Sequence, residues 1–227
     1  SESTSALMTR GYYEMPSDHI YIRPESWDKP FEAPEHVCSS YDNCHVPWGS
    51  THEKTWHLVK TLPHVSGLFV WTGFDYLGEP TPYWWPSRSS FFGIVDLAGF
   101  PKDVYYMYKS EWTDEPVLHI FPHWNWKEGE PVDIWAYYNN ADEVELYLNG
   151  KSLGVRQKTD STYHVSWRVP FTPGTLRAVS RLGGKEVLVK EIHTAGEPAR
   201  LVLTPDRSVI QADGSDLSFV TVDVCDI

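Results

Sequence analysis

The sequence predicts an α/β segment followed by all-β domains, on three observations. Residues 1 to about 113 carry two helical patterns around a short apolar run. From about residue 114 onward, polarity alternates with period two in short runs. Between those runs lie Asn149-Gly150, Pro173-Gly174 and Gly183-Gly184, of which the first and last suit tight hairpins. With 41% hydrophobic and 15% aromatic residues in a chain of 227, there is material for packed cores, which excludes disorder as a description of the whole chain.

Residues 12–50 read as one long irregular stretch, and loops of that length inside a compact domain are usually functional. Residues 52–62 have helical character, with Trp56, Val59 and Leu62 sharing a face and Pro63 as the stop. Residues 67–71, ending in Trp71, read as a buried strand. Residues 102–112 read as a helix opened by Pro101, with Val104, Tyr105, Tyr108 and Trp112 on one side. Helix, buried strand, long loop and helix is the order of a parallel βα architecture.

Further along, residues 117–121, 132–138, 144–148, 163–169, 176–181 and 186–192 are the strand candidates, a count and spacing that describe an immunoglobulin-like β-sandwich. Glu197-Pro198 marks a second boundary. Beyond it, residues 199–203, 208–211 and 217–224 resemble the opening strands of another sandwich with an unpaired edge. The expected division is 1–113, 114–195 and 196–227.

A net charge of −12 without a basic stripe argues against nucleic-acid binding and against an anionic membrane surface. No apolar run approaches the roughly 20 residues that span a bilayer. Cys38, Cys44 and Cys225 are too few for a disulfide scaffold; Cys38 and Cys44 either bridge in an oxidising compartment or remain two thiols. His36 and His45 lie near them without zinc spacing, and the remaining histidines are scattered, so neither a metal nor a cofactor is called for. Ser3 and Ser5 lack the Gly-x-Ser-x-Gly elbow of a nucleophilic serine.

Four ordered segments carry a resemblance. They are Ser-Glu-Ser-Thr-Ser-Ala-Leu-Met-Thr-Arg-Gly-Tyr-Tyr at the start, Cys38-Ser-Ser-Tyr-Asp-Asn with Val46-Pro-Trp-Gly, Phe69-Val-Trp-Thr-Gly-Phe-Asp-Tyr-Leu-Gly-Glu-Pro, and Phe92-Gly-Ile-Val-Asp-Leu-Ala-Gly-Phe-Pro-Lys-Asp-Val-Tyr-Tyr. Together they resemble glycoside hydrolase family 2, in particular its Bacteroidetes-type β-galactosidases. The resemblance covers essentially the whole chain. It implies the C-terminal portion of a (β/α)8 TIM barrel ahead of the sandwich, with sites at the C-terminal ends of strands.

By the same resemblance, Glu2 occupies the nucleophile position of a retaining mechanism, which needs two carboxyl groups about 5 to 5.5 Å apart. The acid/base partner lies in an upstream Asn-Glu pair in this family, and no Asn-Glu dipeptide occurs here. The expectation is a fragment that is inactive alone, whose partners are a carbohydrate substrate and the remainder of the same enzyme, with a homo-oligomer left open and a periplasmic or secreted bacterial location. Trp71 becomes the platform on which a galactose-like ring stacks. Asp75 orients neighbouring loops or binds sugar, and Tyr83, Trp84, Trp85 and Arg88 on the following loop either line the leaving-group side or anchor that loop. β-Glucuronidases of the family carry an Asn-x-Lys motif just before the Gly equivalent to Gly93; Ser90-Phe91-Phe92 stands there instead, which favours a neutral β-galactoside. A β-glucuronide is the alternative substrate, with Lys102 or Arg88 as the replacement cation. The alternative from a different class is a non-catalytic carbohydrate-binding or structural β-sandwich module, with Trp124, Trp126, Trp135 and Tyr137 as an exposed strip.

Overall fold

A computed structural model describes residues 2–24, 36–83 and 85–227, with Glu2 described by its backbone alone. Residues 25–35 of the long irregular stretch lie outside the described ones. In chain order the first elements are β1 (Glu2–Thr4), β2 (Tyr21–Ile22), β3 (Cys44–His45), α1 (His52–Thr61), β4 (Phe69–Trp71) and α2 (Asp103–Trp112). β1 and β4 pair in parallel, with Glu2 opposite Phe69 and Thr4 opposite Trp71; β2 and β3 form a second short parallel pair. Parallel neighbours need a crossover, and α1 lies in the connection from β1 to β4.

Helix α1 starts from outside help. Thr51, at the N-cap of α1, makes no side-chain cap; the buried Asp42 carboxylate instead accepts the His52 and Glu53 N–H groups at 2.8 and 2.7 Å. That satisfies two of the orphan donors and sets a carboxylate at the positive end of the helix. Helix α2 buries Val104, Met107, Tyr108 and Ser110, so the expected stripe is rotated: Tyr105 and Trp112 flank it and Met107 takes the centre.

The second part is all β: β5 (Leu118–Phe121), β6 (Pro131–Tyr138), β7 (Glu143–Leu148), β8 (Lys151–Arg156), β9 (His164–Pro170), β10 (Thr175–Leu182) and β11 (Lys185–His193). They form two antiparallel sheets, ordered β5-β6-β9 and β11-β10-β7-β8. Their inner faces share one core, with Ile120, Ile134 and Trp167 from the first sheet meeting Leu146, Leu176 and Ala178 from the second. Both hairpins form at their expected dipeptides: Asn149 and Gly150 have φ of 50° and 80°, Gly183 and Gly184 φ of 55° and 78°. Paired positive φ values are what a two-residue type I′ turn demands. The six expected strands are all present. β8 is an addition, missed because Lys-Ser-Leu-Gly-Val-Arg is an exposed edge with little alternation.

β6 is buried along its whole length after Pro131. One face feeds the sandwich core, while the other, with Trp135 and Tyr137, joins Phe121 and Tyr163 against Tyr41, Met107 and Tyr108 of the α/β part. This corrects the idea of an exposed aromatic strip. Trp124, Trp135 and Tyr137 are buried and Trp126 is half-buried, because the sheet is covered on both faces. A polar tie crosses the same junction: the Ser17 N–H donates to Asp133 at 2.7 Å, and within the sheet the neighbouring Arg168 grips that carboxylate through Nε at 2.6 Å and through a terminal nitrogen at 2.9 Å.

Finally, β12 (Arg200–Pro205) and β13 (Val220–Cys225) make an antiparallel ribbon, whereas residues 208–211 form no strand. Cys38 and Cys44 are buried free thiols rather than a bridge. Replacing Leu146, fully buried between the sheets, with Ala should cost about 2–5 kcal/mol in urea unfolding. Lys151→Ala on the exposed edge strand should change the same measurement by less than about 0.5 kcal/mol.

Candidate active site

Glu2 and Trp71 sit on adjacent parallel strands, two register positions apart. Standard strand rise and spacing put their Cα atoms roughly 8 Å from each other. The Glu2 side chain and all of Trp84 lie outside the described residues. Trp71 is half-buried and packs against the cluster of Leu7, Cys44, Val46 and Phe92. Its ring meets Tyr76 edge-on, with centroids 5.8 Å apart at 74°. The Tyr76 hydroxyl donates to Glu79 Oε2.

Asp75 is committed on both oxygens. Oδ1 accepts the Gly93 N–H at 2.8 Å and Oδ2 lies 2.7 Å from Lys102 Nζ. Lys102 is 1% exposed, and its ammonium also donates to the Met8 carbonyl at 2.8 Å. Burial pushes the Asp75 carboxyl up and the Lys102 ammonium down, against the mutual attraction of the pair. Residues 72–75 run against 92–95 through Thr72 N–H to Phe92 O (3.1 Å), Ile94 N–H to Thr72 O (3.0 Å) and Asp75 N–H to Val95 O (2.9 Å). Gly93 permits that approach: a Cβ there would lie 2.6 Å from the Val95 carbonyl oxygen and against the Phe74 and Asp75 backbone. Lys102 is therefore spent inside the protein and is not the replacement cation for a substrate carboxylate.

Beyond Asp75 the chain doubles back as a hairpin. The Gly78 N–H donates to Arg88 O at 2.7 Å and the Ser90 N–H to Tyr76 O at 2.8 Å. Trp85, 74% exposed, carries the Arg88 guanidinium over its ring at 4.4 Å. The fold thus brings Trp71, Asp75 and the Glu2 strand into one region, while Trp85 and Arg88 stack on each other further along the hairpin.

His52 was not singled out from sequence. It opens α1, is fully buried, and its ring faces the Tyr108 hydroxyl at 2.8 Å and the Thr4 hydroxyl at 3.2 Å, supporting β1 from the helix side. Burial, with the Lys102 charge adding to it, pushes its pKa down to about 3. Only its place as the first residue of a helix hinted at a structural duty.

The unfolded histidine binds its proton near 6.5 and the folded one near 3. Between those values the unfolded chain holds more protons, so the stability tied to neutral His52 is full above 6.5 and is lost as pH falls toward 3. The stability advantage of the native protein over His52→Gln should therefore shrink by about 2–3 kcal/mol between pH 7 and pH 4, measured by urea unfolding. Gly93→Ala should destabilise by about 3 kcal/mol through backbone collision at the Asp75 turn.

Comparison with known proteins follows the same regions. Residues 129–188 match a family described as a domain of unknown function, DUF4982. The chain is 64% identical over 226 residues to the beta-galactosidase BoGH2A of Bacteroides ovatus, an alignment that takes in 100% of this chain and 27% of that protein. The crystal structure of a beta-glycosidase from Bacteroides vulgatus superposes with a TM-score of 0.86 at 31% identity, covering 100% of this chain and 31% of that one. A beta-glucuronidase from glycoside hydrolase family 2 superposes with a TM-score of 0.60 at 28% identity, over 71% of this chain and 17% of its own. The chain spans about a quarter to a third of the first two relatives. On this homology, which runs through the α/β part, the sandwich and the terminal ribbon alike, the chain belongs to glycoside hydrolase family 2.

Proposed function

We propose that this chain is the C-terminal portion of the catalytic region of a retaining β-galactosidase, with residues 1–113 ending a (β/α)8 barrel, 114–195 an immunoglobulin-like sandwich and 196–227 the opening of a further β domain. The observation that carries the reading is the parallel register of β1 with β4, since neighbouring parallel strands joined through a helix are the repeating unit of such a barrel. In this reading Glu2 attacks the anomeric carbon. A second carboxyl group, from a part of the enzyme that these residues do not include, protonates the departing oxygen; water then releases the sugar from the glycosyl-enzyme.

Trp71 offers its ring face to the apolar C–H face of the sugar. Asp75, with both oxygens engaged, serves by fixing the turn after β4. Trp84, Trp85 and Arg88 belong to the leaving-group side. A neutral β-galactoside is favoured over a β-glucuronide because Ser90-Phe91-Phe92 carries no cation ahead of Gly93 and Lys102 is committed to Asp75. Placement in the bacterial periplasm or outside the cell completes the proposal.

The test uses the enzyme with its complete barrel and an aryl β-galactoside. Glu2→Gln should lower kcat by about four orders of magnitude while leaving the thermal midpoint unchanged. Glu2→Gly with added azide should give the α-glycosyl azide. Turnover retained in Glu2→Gln would remove Glu2 from the mechanism. Trp71→Ala should raise KM about tenfold or more, worth about 1.4 kcal/mol or more of binding.

A further inference from the structure

We infer that His52 is a positioning residue for the nucleophile: through Thr4 it holds the end of β1, and with it the backbone of Glu2, where attack on the anomeric carbon requires it; this rests on the reading of Glu2 as that nucleophile. A retaining site works with its carboxyl groups about 5 to 5.5 Å apart, and a displacement of about 1 Å costs about a hundredfold in rate. β1 is only three residues long, so its place is set by its neighbours. Pairing with β4 fixes its register along one edge. The second support is at Thr4, on the same short strand as Glu2 and 1% exposed. Thr4 Oγ1 lies 3.2 Å from His52 Nδ1 and 3.4 Å from Nε2, and Nδ1 lies 2.8 Å from the Tyr108 hydroxyl. The fully buried imidazole is neutral, with one nitrogen that donates and one that accepts, so it joins two hydroxyls that can each take either role. A hydrocarbon in its place would leave both hydroxyls buried without that partner.

The imidazole is itself placed by backbone. His52 opens α1, where the Asp42 carboxylate accepts its N–H at 2.8 Å and that of Glu53 at 2.7 Å. Immediately ahead of the helix the chain grips β1 again: the Ser50 N–H donates to the Thr4 carbonyl at 2.8 Å. Gly49 lies so close that a Cβ there would stand 2.7 Å from the Thr4 carbonyl oxygen and 2.6 Å from that of Ser5. Ser5 has φ of 55°, in the left-handed region, so the extended backbone of β1 stops at this contact. Residues 49–52 therefore meet Thr4 on its carbonyl and on its hydroxyl. Thr4 is also the register partner of Trp71, so the same anchor sets where β1 stands beside the strand that carries the platform.

The test uses the enzyme with its complete barrel and a 2-deoxy-2-fluoro-β-galactoside bearing a dinitrophenolate leaving group. A Glu2 carboxylate oxygen bonds the anomeric carbon and dinitrophenolate departs with the electron pair of the broken C–O bond, so the saturating rate constant of inactivation reads the attack and the half-saturating concentration reads binding. Only folded molecules take up label, so a variant that folds poorly loses amplitude and not rate. Thr4→Val and His52→Phe keep the bulk and cut the link; each should lower the rate constant about tenfold or more, with the half-saturating concentration within about twofold of native. Gly49→Ala, which pushes on the Thr4 and Ser5 carbonyls, should do the same. Thr4→Ser keeps the hydroxyl and should stay within about threefold of native. Rate constants within about twofold of native in both Thr4→Val and His52→Phe would overturn the inference, as would a Thr4→Ser no faster than Thr4→Val. Peptide mapping of the native adduct separates the two readings. Label on a residue other than Glu2 sinks the function proposed above and this inference with it, whereas label on Glu2 with unchanged rates in the variants sinks this inference alone.

Discussion

The buried pair of Lys102 and Asp75 is the contact on which the rest of the α/β part is arranged. Taking an ammonium and a carboxylate out of water costs several kcal/mol each, so such a pair persists only where geometry and further hydrogen bonds offset the loss. Here the partners stand 2.7 Å apart, the Met8 carbonyl accepts from the same ammonium, and the Gly93 N–H serves the other carboxylate oxygen. Three segments meet at one point: the chain leaving β1, the turn leaving β4, and the loop around Gly93. Lys102 is also the N-cap residue of α2, so the helix that packs against the sandwich begins where the turn after Trp71 is secured.

The sandwich is tied to that assembly through β6. Because β6 is covered on both faces, its outward aromatic residues act as core for the neighbouring part. Trp135 stacks flat on His164 with centroids 3.5 Å apart, and His164 in turn contacts Glu53 of α1 at 2.6 Å. The junction is therefore apolar in the middle and polar at its edge, the composition of a fixed contact rather than of a hinge. This gives the sandwich a bracing role: it supports α2 and α1, which pack next to β4 and β1.

Much of the fold was legible in the residues. Period-two runs bounded by Asn149-Gly150 and Gly183-Gly184 led to the strands and hairpins, since those dipeptides accept the positive φ values that tight turns require. β8 escaped because its alternation is limited to Leu153 and Val155 around Gly154 on the edge of the sheet. The α2 stripe was misjudged by about one position, as Tyr and Trp are amphipathic and read equally well at a flank or at the centre. Trp124, Trp135 and Tyr137 were weighed as a binding strip because composition does not reveal that a second layer covers them. Glu2 and Trp71 were named from motifs, whereas His52 gained significance only from what it touches.

The sequence by itself determined the two helices, six strands of the sandwich, the tight hairpins and the family, because these depend on local backbone preferences, side-chain periodicity and ordered motifs. Tertiary structure alone decided that both faces of β6 are covered, that Lys102 is spent on Asp75, and that His52 is neutral. Those outcomes depend on groups dozens of residues apart, and on desolvation, which exists only once the chain has closed around them.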